Sequence, residues 1–422
     1  MERHKFNFLP SGKDAATIAA RAIHDRILVI DSHIDFEPGD LTGERNYTER
    51  TETQFNLPNM IDGGLDALFF VVYVGQTKES QNPDALKATG YQGAYTRAVE
   101  KFDAVRRFTG EIAPERIELA LSADDIRRIH CAGKKAALMG VENGYPLGDD
   151  LLRVKEFYQR GARYISLTHN GHNQLGDSHT GERDGWKWHG VSPLGEQVIA
   201  EMNRLGIMVD VSHASKQAML QTAALSKAPI IASHSSCRAL CNVSRNLDDE
   251  QLLALKNKGG VIQIVAYDGF LKATQADTTE RKTALAEARK PYDLLDPASI
   301  SQRARAQATL KKLPADQRTA YEEKLAEIDA RLPGDPPASV KDLVDHIDYA
   351  VKLIGIDHVG IASDFDGGGG IVRWNDSSET FNVTLELVRR GYREEQIAKL
   401  WGGNLLWVME EVQRVGRDLE NK

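Results

Sequence analysis

Eight short apolar runs constrain this chain more than any other feature of its sequence. They are Arg26–Asp31, Ala67–Val74, Ala136–Val141, Tyr164–Thr168, Ile207–Val211, Pro229–Ser233, Val261–Val265 and His358–Ala362. Each is rich in Val, Ile, Leu or Ala with little polar alternation, the pattern of strands buried on both faces. Most intervals between them have helical periodicity. Pro193–Leu205 has an apolar face and stops at Gly206. Val340–Ile354 is apolar at 340, 343, 344, 347, 351 and 354, with Ser339 as N-cap and Gly355 after its end. Strands alternating with helices predict a parallel sheet. Eight of them favour a closed (β/α)8 barrel of the TIM type over an open doubly wound sheet, and no GxGxxG follows the first strand to support a dinucleotide fold.

One barrel with insertions accommodates all 422 residues as a single domain, 1–422. The stretch 274–338, between the seventh and eighth runs, breaks the repeat. Its Ala, Lys, Arg, Glu and Asp content predicts surface helices over Ser301–Leu313 and Ala315–Leu332, followed by the loop PGDPP at 333–337. We expect a helical insertion there, either simply solvated or serving as a lid or oligomer contact.

The net charge is −8, from 53 Lys and Arg against 61 Asp and Glu, and no basic stripe offsets it. Nucleic acid and anionic membranes are therefore poor partners. No apolar run is long enough for a transmembrane span, and the first residues (MERHKFNFLPSGKD) lack the apolar core of a signal peptide. A soluble chain is expected and its compartment is left open: cytoplasmic, or periplasmic if a signal has been removed. Cys131, Cys237 and Cys241 contain no CxxC pair. Idle thiols are expected, although the 237/241 spacing also permits a disulfide or a metal.

Six of the eight runs end at Asp, Glu or His. His33 and Asp35 follow the first, where residues i and i+2 share a face. Glu142 follows the third, His169 the fourth, His213 the fifth, His234 the sixth and Asp364 the eighth. Catalytic groups of such barrels gather at the C-terminal strand ends, so these residues are expected to meet. Imidazole and carboxylate together suit zinc or a similar divalent ion. The donors exceed what one catalytic ion needs while keeping an open position; two ions about 3.5–4 Å apart would use them all. No GxSxG is present, so hydrolysis by a metal-activated water is the expected chemistry.

These motifs resemble the membrane (renal) dipeptidase family of binuclear zinc peptidases, which has an amidohydrolase-like barrel. The resemblance runs from about Arg26 to Val408, interrupted by 274–338, through DSHIDF, GGLDALFFVVYVG, GVENG, YISLTHN, GVSPLGEQVIAEMNRLGIMVDVSHAS, PIIASHSSCRAL, SRNLDDE, DHVGIASDFDG and GYREEQIAKLWGGNLLWV. It implies two zinc ions per chain: His33 and Asp35 on one, His213 and His234 on the other, Glu142 bridging. It places His169 beside the scissile carbonyl and Arg245 on the substrate's C-terminal carboxylate. Asp364 would carry the proton from a metal-bridging hydroxide's parent water to the leaving amine, and Tyr267 would lie on the substrate side. It also implies hydrolysis of L-Xaa-L-Xaa and L-Xaa-D-Xaa dipeptides, in some members of β-lactams, and a homodimer.

The family's first motif usually reads Asp-Gly-His-Asn-Asp-Leu; here Ser32, Ile34 and Phe36 replace Gly, Asn and Leu. After the seventh strand Val265-Ala266-Tyr267 replaces Asn-Phe-Tyr. Both ligand positions survive, and the side-chain preference of the pocket is left open. Arg245 has a structural alternative in pairing with Asp248 or Asp249, and Asp366 is an alternative to Asp364. His172, His179 and His189 are read as loop or rim residues. Two other functions compete: a metal-dependent tailoring step on a peptide natural product, and an idle barrel serving as a scaffold. A dipeptide panel separates the first from a dipeptidase, and metal analysis excludes or supports the second.

Overall fold

Nine parallel strands form one sheet in the computed structural model, which describes residues 14–76, 84–273, 277–294, 309–310 and 312–421. They are β1 (Ile30–Ile34), β2 (Ala67–Tyr73), β3 (Ile117–Leu119), β4 (Lys135–Glu142), β5 (Ala162–Ser166), β6 (Met208–Asp210), β7 (Ile230–Ser235), β8 (Val261–Val265) and β9 (Val359–Ala362). Eight of them follow in the order β1-β2-β4-β5-β6-β7-β8-β9, and β3 pairs with β4 off this path. The path curls back on itself. Ile34 bridges Phe365, Asp35 N–H donates to Phe365 O at 2.9 Å, and Asp364 N–H donates to His33 O at 3.1 Å. The result is a TIM-like barrel whose seam is stitched at the C-terminal ends of its first and last strands.

Two strands differ most from the sequence expectation, and β5 also lies two residues earlier than the run at Tyr164–Thr168. Ladder pairing of β1 starts at Ile30 opposite Ala67, because Arg26 stays at the surface, where it pairs with Glu394 at 2.7 Å. The strand therefore runs later than the apolar run, and His33 lies within it. The ninth strand, β3, has three residues, too few for any periodicity to show. Pro193–Leu205 and Val340–Ile354 form as expected. Ser192 accepts from Gly195 N–H, Ser339 and Asp342 make a capping box, and Gly206 ends the first helix at φ 74°.

Helices Thr279–Arg289 and Ala315–Arg331 pack on each other through Ala288, Tyr321 and Ile328, a small cluster separate from the main core. The helix expected over Ser301–Leu313 falls mostly outside the described residues. Among those described, Lys312 Nζ reaches Glu52 Oε1 at 3.0 Å, in the loop after β1. No helix among the described residues is long and apolar enough to cross a membrane. All three cysteines are free thiols. Buried Cys237 and Cys241 point their Sγ atoms at separate carbonyls, of His346 and Gly269.

Inside the barrel, two strands carry glycine where a neighbour's side chain fills the space. A Cβ on Gly140 of β4 would lie 2.0 Å from Cζ of Tyr164, and one on Gly360 of β9 would lie 2.0 Å from Oε1 of Gln263. Gly140 thus makes room for the Tyr164 ring, which crosses the interior towards β1. Gly140→Ala should cost about 1–3 kcal/mol by overpacking, read as a lower urea midpoint at unchanged slope. A wild-type midpoint would contradict this packing.

Candidate metal centre

The strands deliver their polar ends to one rim. His33 lies in β1 with Asp35 just beyond it, Glu142 ends β4, and His234 lies in β7. His169, His213 and Asp364 follow β5, β6 and β9 by two or three residues. The backbone bends sharply to aim several of them. His213 has φ 65°, Asp364 φ 58°, and Asn143, directly after Glu142, φ 74°. Left-handed backbone at non-glycine residues costs of order 1–3 kcal/mol each and persists where surrounding contacts enforce it.

Glu142 sits at the centre and presents its two oxygens to opposite sides. Oε2 faces His33 Nε2 at 3.7 Å; Oε1 faces Nε2 of His213 at 3.0 Å, of His234 at 3.2 Å and of His169 at 3.7 Å. On the His33 side, Asp35 Oδ2 lies 3.6 Å and Asp364 Oδ1 3.9 Å from His33 Nε2. Close donor triads are His33–Asp35–Asp364, His33–Glu142–His234 and Glu142–His169–His213.

The outer nitrogens of the three buried imidazoles fix which nitrogen faces inward. Tyr164 gives its hydroxyl proton to Ser32 O (3.2 Å), so its oxygen accepts from His33 Nδ1–H (3.1 Å). His213 Nδ1–H donates to Asn170 Oδ1 at 3.1 Å. His234 Nδ1–H donates to Ser233 Oγ at 2.8 Å. Each ring therefore turns its Nε2 towards Glu142, as metal-ligating histidines do. His33 Nε2 is fully buried without a hydrogen-bond partner among the described residues, and Nε2 of His213 lies 3.0 Å from Nε2 of His234. Two inward lone pairs at that distance repel unless a cation lies near both. The donor set fits divalent metal.

The electrostatics agree. Burial opposes charge on Glu142, but His169, His33, His213 and His234 hold its carboxyl well below the ordinary range. Burial opposes the charge on His33 too, yet Glu142, Asp35 and Asp364 push it up to about 9. Burial, reinforced by Glu142, raises Asp35 to about 7. Asp364 rises well above its usual value through burial, with Asp35 adding to it. Burial and the nearby Arg245 push His213 and His234 well down, keeping them neutral. Three acids crowded round His33, with His213 and His234 held neutral beside them, form a strongly cation-seeking rim.

The rim opens into a cavity of about 480 Å³ that runs beneath the loop after β1, with Phe36, Tyr47, Tyr73, Tyr267 and Phe270 among its walls. Tyr267 lines it, stacked on Phe270 at 4.1 Å. Arg245 does not line it. The guanidinium is buried behind Phe270, 5.4 Å from that ring's centre, and donates to Ser235 Oγ (2.8 Å) and His234 O (2.7 Å). It pairs with neither Asp248, which caps the next helix and binds Lys216, nor Asp249, which accepts from Tyr349. Asp366 lines the cavity, but its carboxylate accepts from Gln54 N–H and Phe55 N–H, which anchors that loop. His172 and His189 stay in their loop. His179 Nε2–H reaches Asn170 Oδ1 at 2.9 Å, behind His213. Sequence reasoning missed Tyr73, Tyr164, Asn170 and Ser233; Ser233 precedes His234 and Asn170 follows His169, so adjacency was the available signal.

Histidines and carboxylates converging on the C-terminal rim of a parallel barrel define a metallohydrolase. The family described as membrane dipeptidase (peptidase family M19) matches residues 18–422, and the chain belongs to it; it is a hydrolase of the metallo-dipeptidase type. Dipeptidase aclJ of Aspergillus oryzae is 29% identical over 380 residues, covering 89% of this chain and 74% of that protein. The crystal structure of the probable dipeptidase PvdM from Pseudomonas aeruginosa is 34% identical, with TM-score 0.74, over 95% of this chain and 99% of that one. A metallo peptidase from Rhodobacter sphaeroides, liganded with a phosphinate mimic of L-Ala-D-Ala, shares the fold at 21% identity and TM-score 0.67, over 92% and 99% of the two chains.

A cation bound only by the folded rim stabilises the fold by about 4 kcal/mol at a thousandfold excess over its Kd. Divalent ion added to chelator-stripped protein should raise the thermal midpoint, and Glu142→Gln should remove most of that rise. An unchanged wild-type midpoint would contradict the fit.

Proposed function

We propose that the rim holds two zinc ions and that the cavity hydrolyses the peptide bond of L,L and L,D dipeptides. His33 and Asp35 would hold one ion, His213 and His234 the other, and Glu142 both. The observation carrying this reading is the position of Glu142, with one oxygen facing His33 and the other facing His213 and His234. When bound, such a pair supplies a Lewis acid for the acyl oxygen and a water of lowered pKa.

The chain's own groups do the rest. Asp364 Oδ1 takes a proton from the attacking water and returns it to the leaving amine. Its burial beside Asp35 and Glu142 favours the protonated form it must reach in that cycle. His169, whose ring lies against Tyr73 (4.6 Å) and His213 (4.2 Å), donates from Nε2 to the developing oxyanion. Burial keeps its pKa down, so it acts as a neutral donor. Arg245 attracts the substrate's C-terminal carboxylate from behind the Phe270 ring, and among the described residues the guanidinium Nε has no hydrogen-bond partner. A cavity of about 480 Å³ suits a ligand of dipeptide size.

Steady-state hydrolysis of an L-Xaa-L-Xaa and L-Xaa-D-Xaa panel, with and without added zinc, tests the reading. Broad zinc-dependent turnover is expected; no hydrolysis of any member by the metal-loaded protein would refute it. Asp364→Asn should keep both ions and lower kcat by about 10²–10⁴-fold. Full turnover in that variant would remove Asp364 from the proton path.

A further inference from the structure

We propose that Asp210 and Ser233, neither of them a metal ligand, are positioning residues that set the tautomer of His234 through a one-way hydrogen-bond relay. The inference rests on the metal-site reading above and extends it to the groups that enforce it.

Asp210 ends β6 and is fully buried. Its Oδ1 accepts two backbone donors, Ser212 N–H at 3.0 Å and Ser233 N–H at 2.9 Å. Its Oδ2 lies 2.6 Å from Ser233 Oγ, and Ser233 Oγ lies 2.8 Å from His234 Nδ1. A carboxylate with those neighbours only accepts. The single Ser233 hydroxyl proton is therefore committed to Asp210. The Ser233 oxygen must then accept from His234, so the imidazole proton sits on Nδ1. His234 Nε2 is left with a lone pair facing Glu142 at 3.2 Å and His213 at 3.0 Å. The direction of every proton in the chain follows from the one group that cannot donate.

Asp210 is no mere strand cap, because its amide replacement should reverse the relay without removing it. In Asp210→Asn the side-chain oxygen can keep both backbone N–H donors, while the new NH2 faces Ser233 Oγ and donates. The serine hydroxyl is then free to donate to His234 Nδ1. That forces the ring proton onto Nε2, the nitrogen needed for metal. The hydrogen-bond count is conserved, so the fold should survive while the metal site is impaired. The damage must travel through the Ser233 hydroxyl.

The test is zinc affinity of the full chain by chelator competition, with the melting temperature of the stripped protein measured alongside. Outer hydrogen-bond partners of ligating histidines are worth about 10–100-fold in metal affinity. Asp210→Asn should fall in that range at a nearly unchanged metal-free melting temperature. Ser233→Ala should lose less, and Ser233→Thr, which keeps the hydroxyl, should bind as wild type. The double variant Asp210→Asn/Ser233→Ala should bind no more weakly than Ser233→Ala alone. Two outcomes overturn the relay: losses that add in the double variant, or a fall in metal-free stability with zinc affinity untouched. If Asp210→Asn fails to fold, equal affinity of Ser233→Ala and Ser233→Thr overturns it. Failure of the wild type to bind zinc would instead refute the metal-site reading on which the relay stands.

Discussion

Glu142 must remain an anion inside a rim that excludes most water, and much of the surrounding structure serves that requirement. A buried carboxylate ordinarily takes up a proton. Here four imidazole edges face it, and its carboxyl is held well below the normal range even though burial works against ionisation. Burial and the neighbouring carboxylates raise Asp35 and Asp364, which face fewer imidazole edges. Acids of opposite tendency thus stand side by side, one held as a charge and the others pushed towards the protonated form. That separation suits a centre that must hold cations and move protons within a few ångströms.

The barrel makes the arrangement possible by closing where the chemistry lies. Asp31 is buried in β1, and its Oδ1 accepts from His33 N–H at 3.2 Å and from Ser363 N–H at 3.0 Å. One carboxylate therefore fixes the residue before Asp364 and the backbone of His33, across the seam between the first and last strands. Asp210 does the equivalent between β6 and β7, joining Ser212 to Ser233. These acids lie one layer below the rim. They tie the register of neighbouring strands to the backbone that carries the rim side chains.

The fold was legible because strands buried on both faces leave apolar runs, and six of the eight runs ended at a residue that mattered. His33, Glu142, His213, His234 and Asp364 could be named from that pattern, and the family resemblance supplied roles for them. The expected β1 was early because Arg26–Val29 is apolar enough to pass for strand, while pairing starts only at Ile30. The three residues of β3 carry no period at all. Tyr164, Asn170 and Ser233 offered at most adjacency as a signal, because the hydrogen bonds they make to the histidines depend on partners distant in sequence, Ser32, His213 and Asp210 among them. Arg245 was recognised as a residue, but its place behind Phe270 is a matter of packing that spacing does not encode.

The claim that Glu142 joins two cation positions is tested most directly by anomalous diffraction at the zinc edge from crystals of the zinc-loaded protein. The account predicts two peaks per chain flanking the Glu142 carboxylate, one beside His33 and Asp35 and the other beside His213 and His234. A single peak, or peaks remote from Glu142, would contradict it.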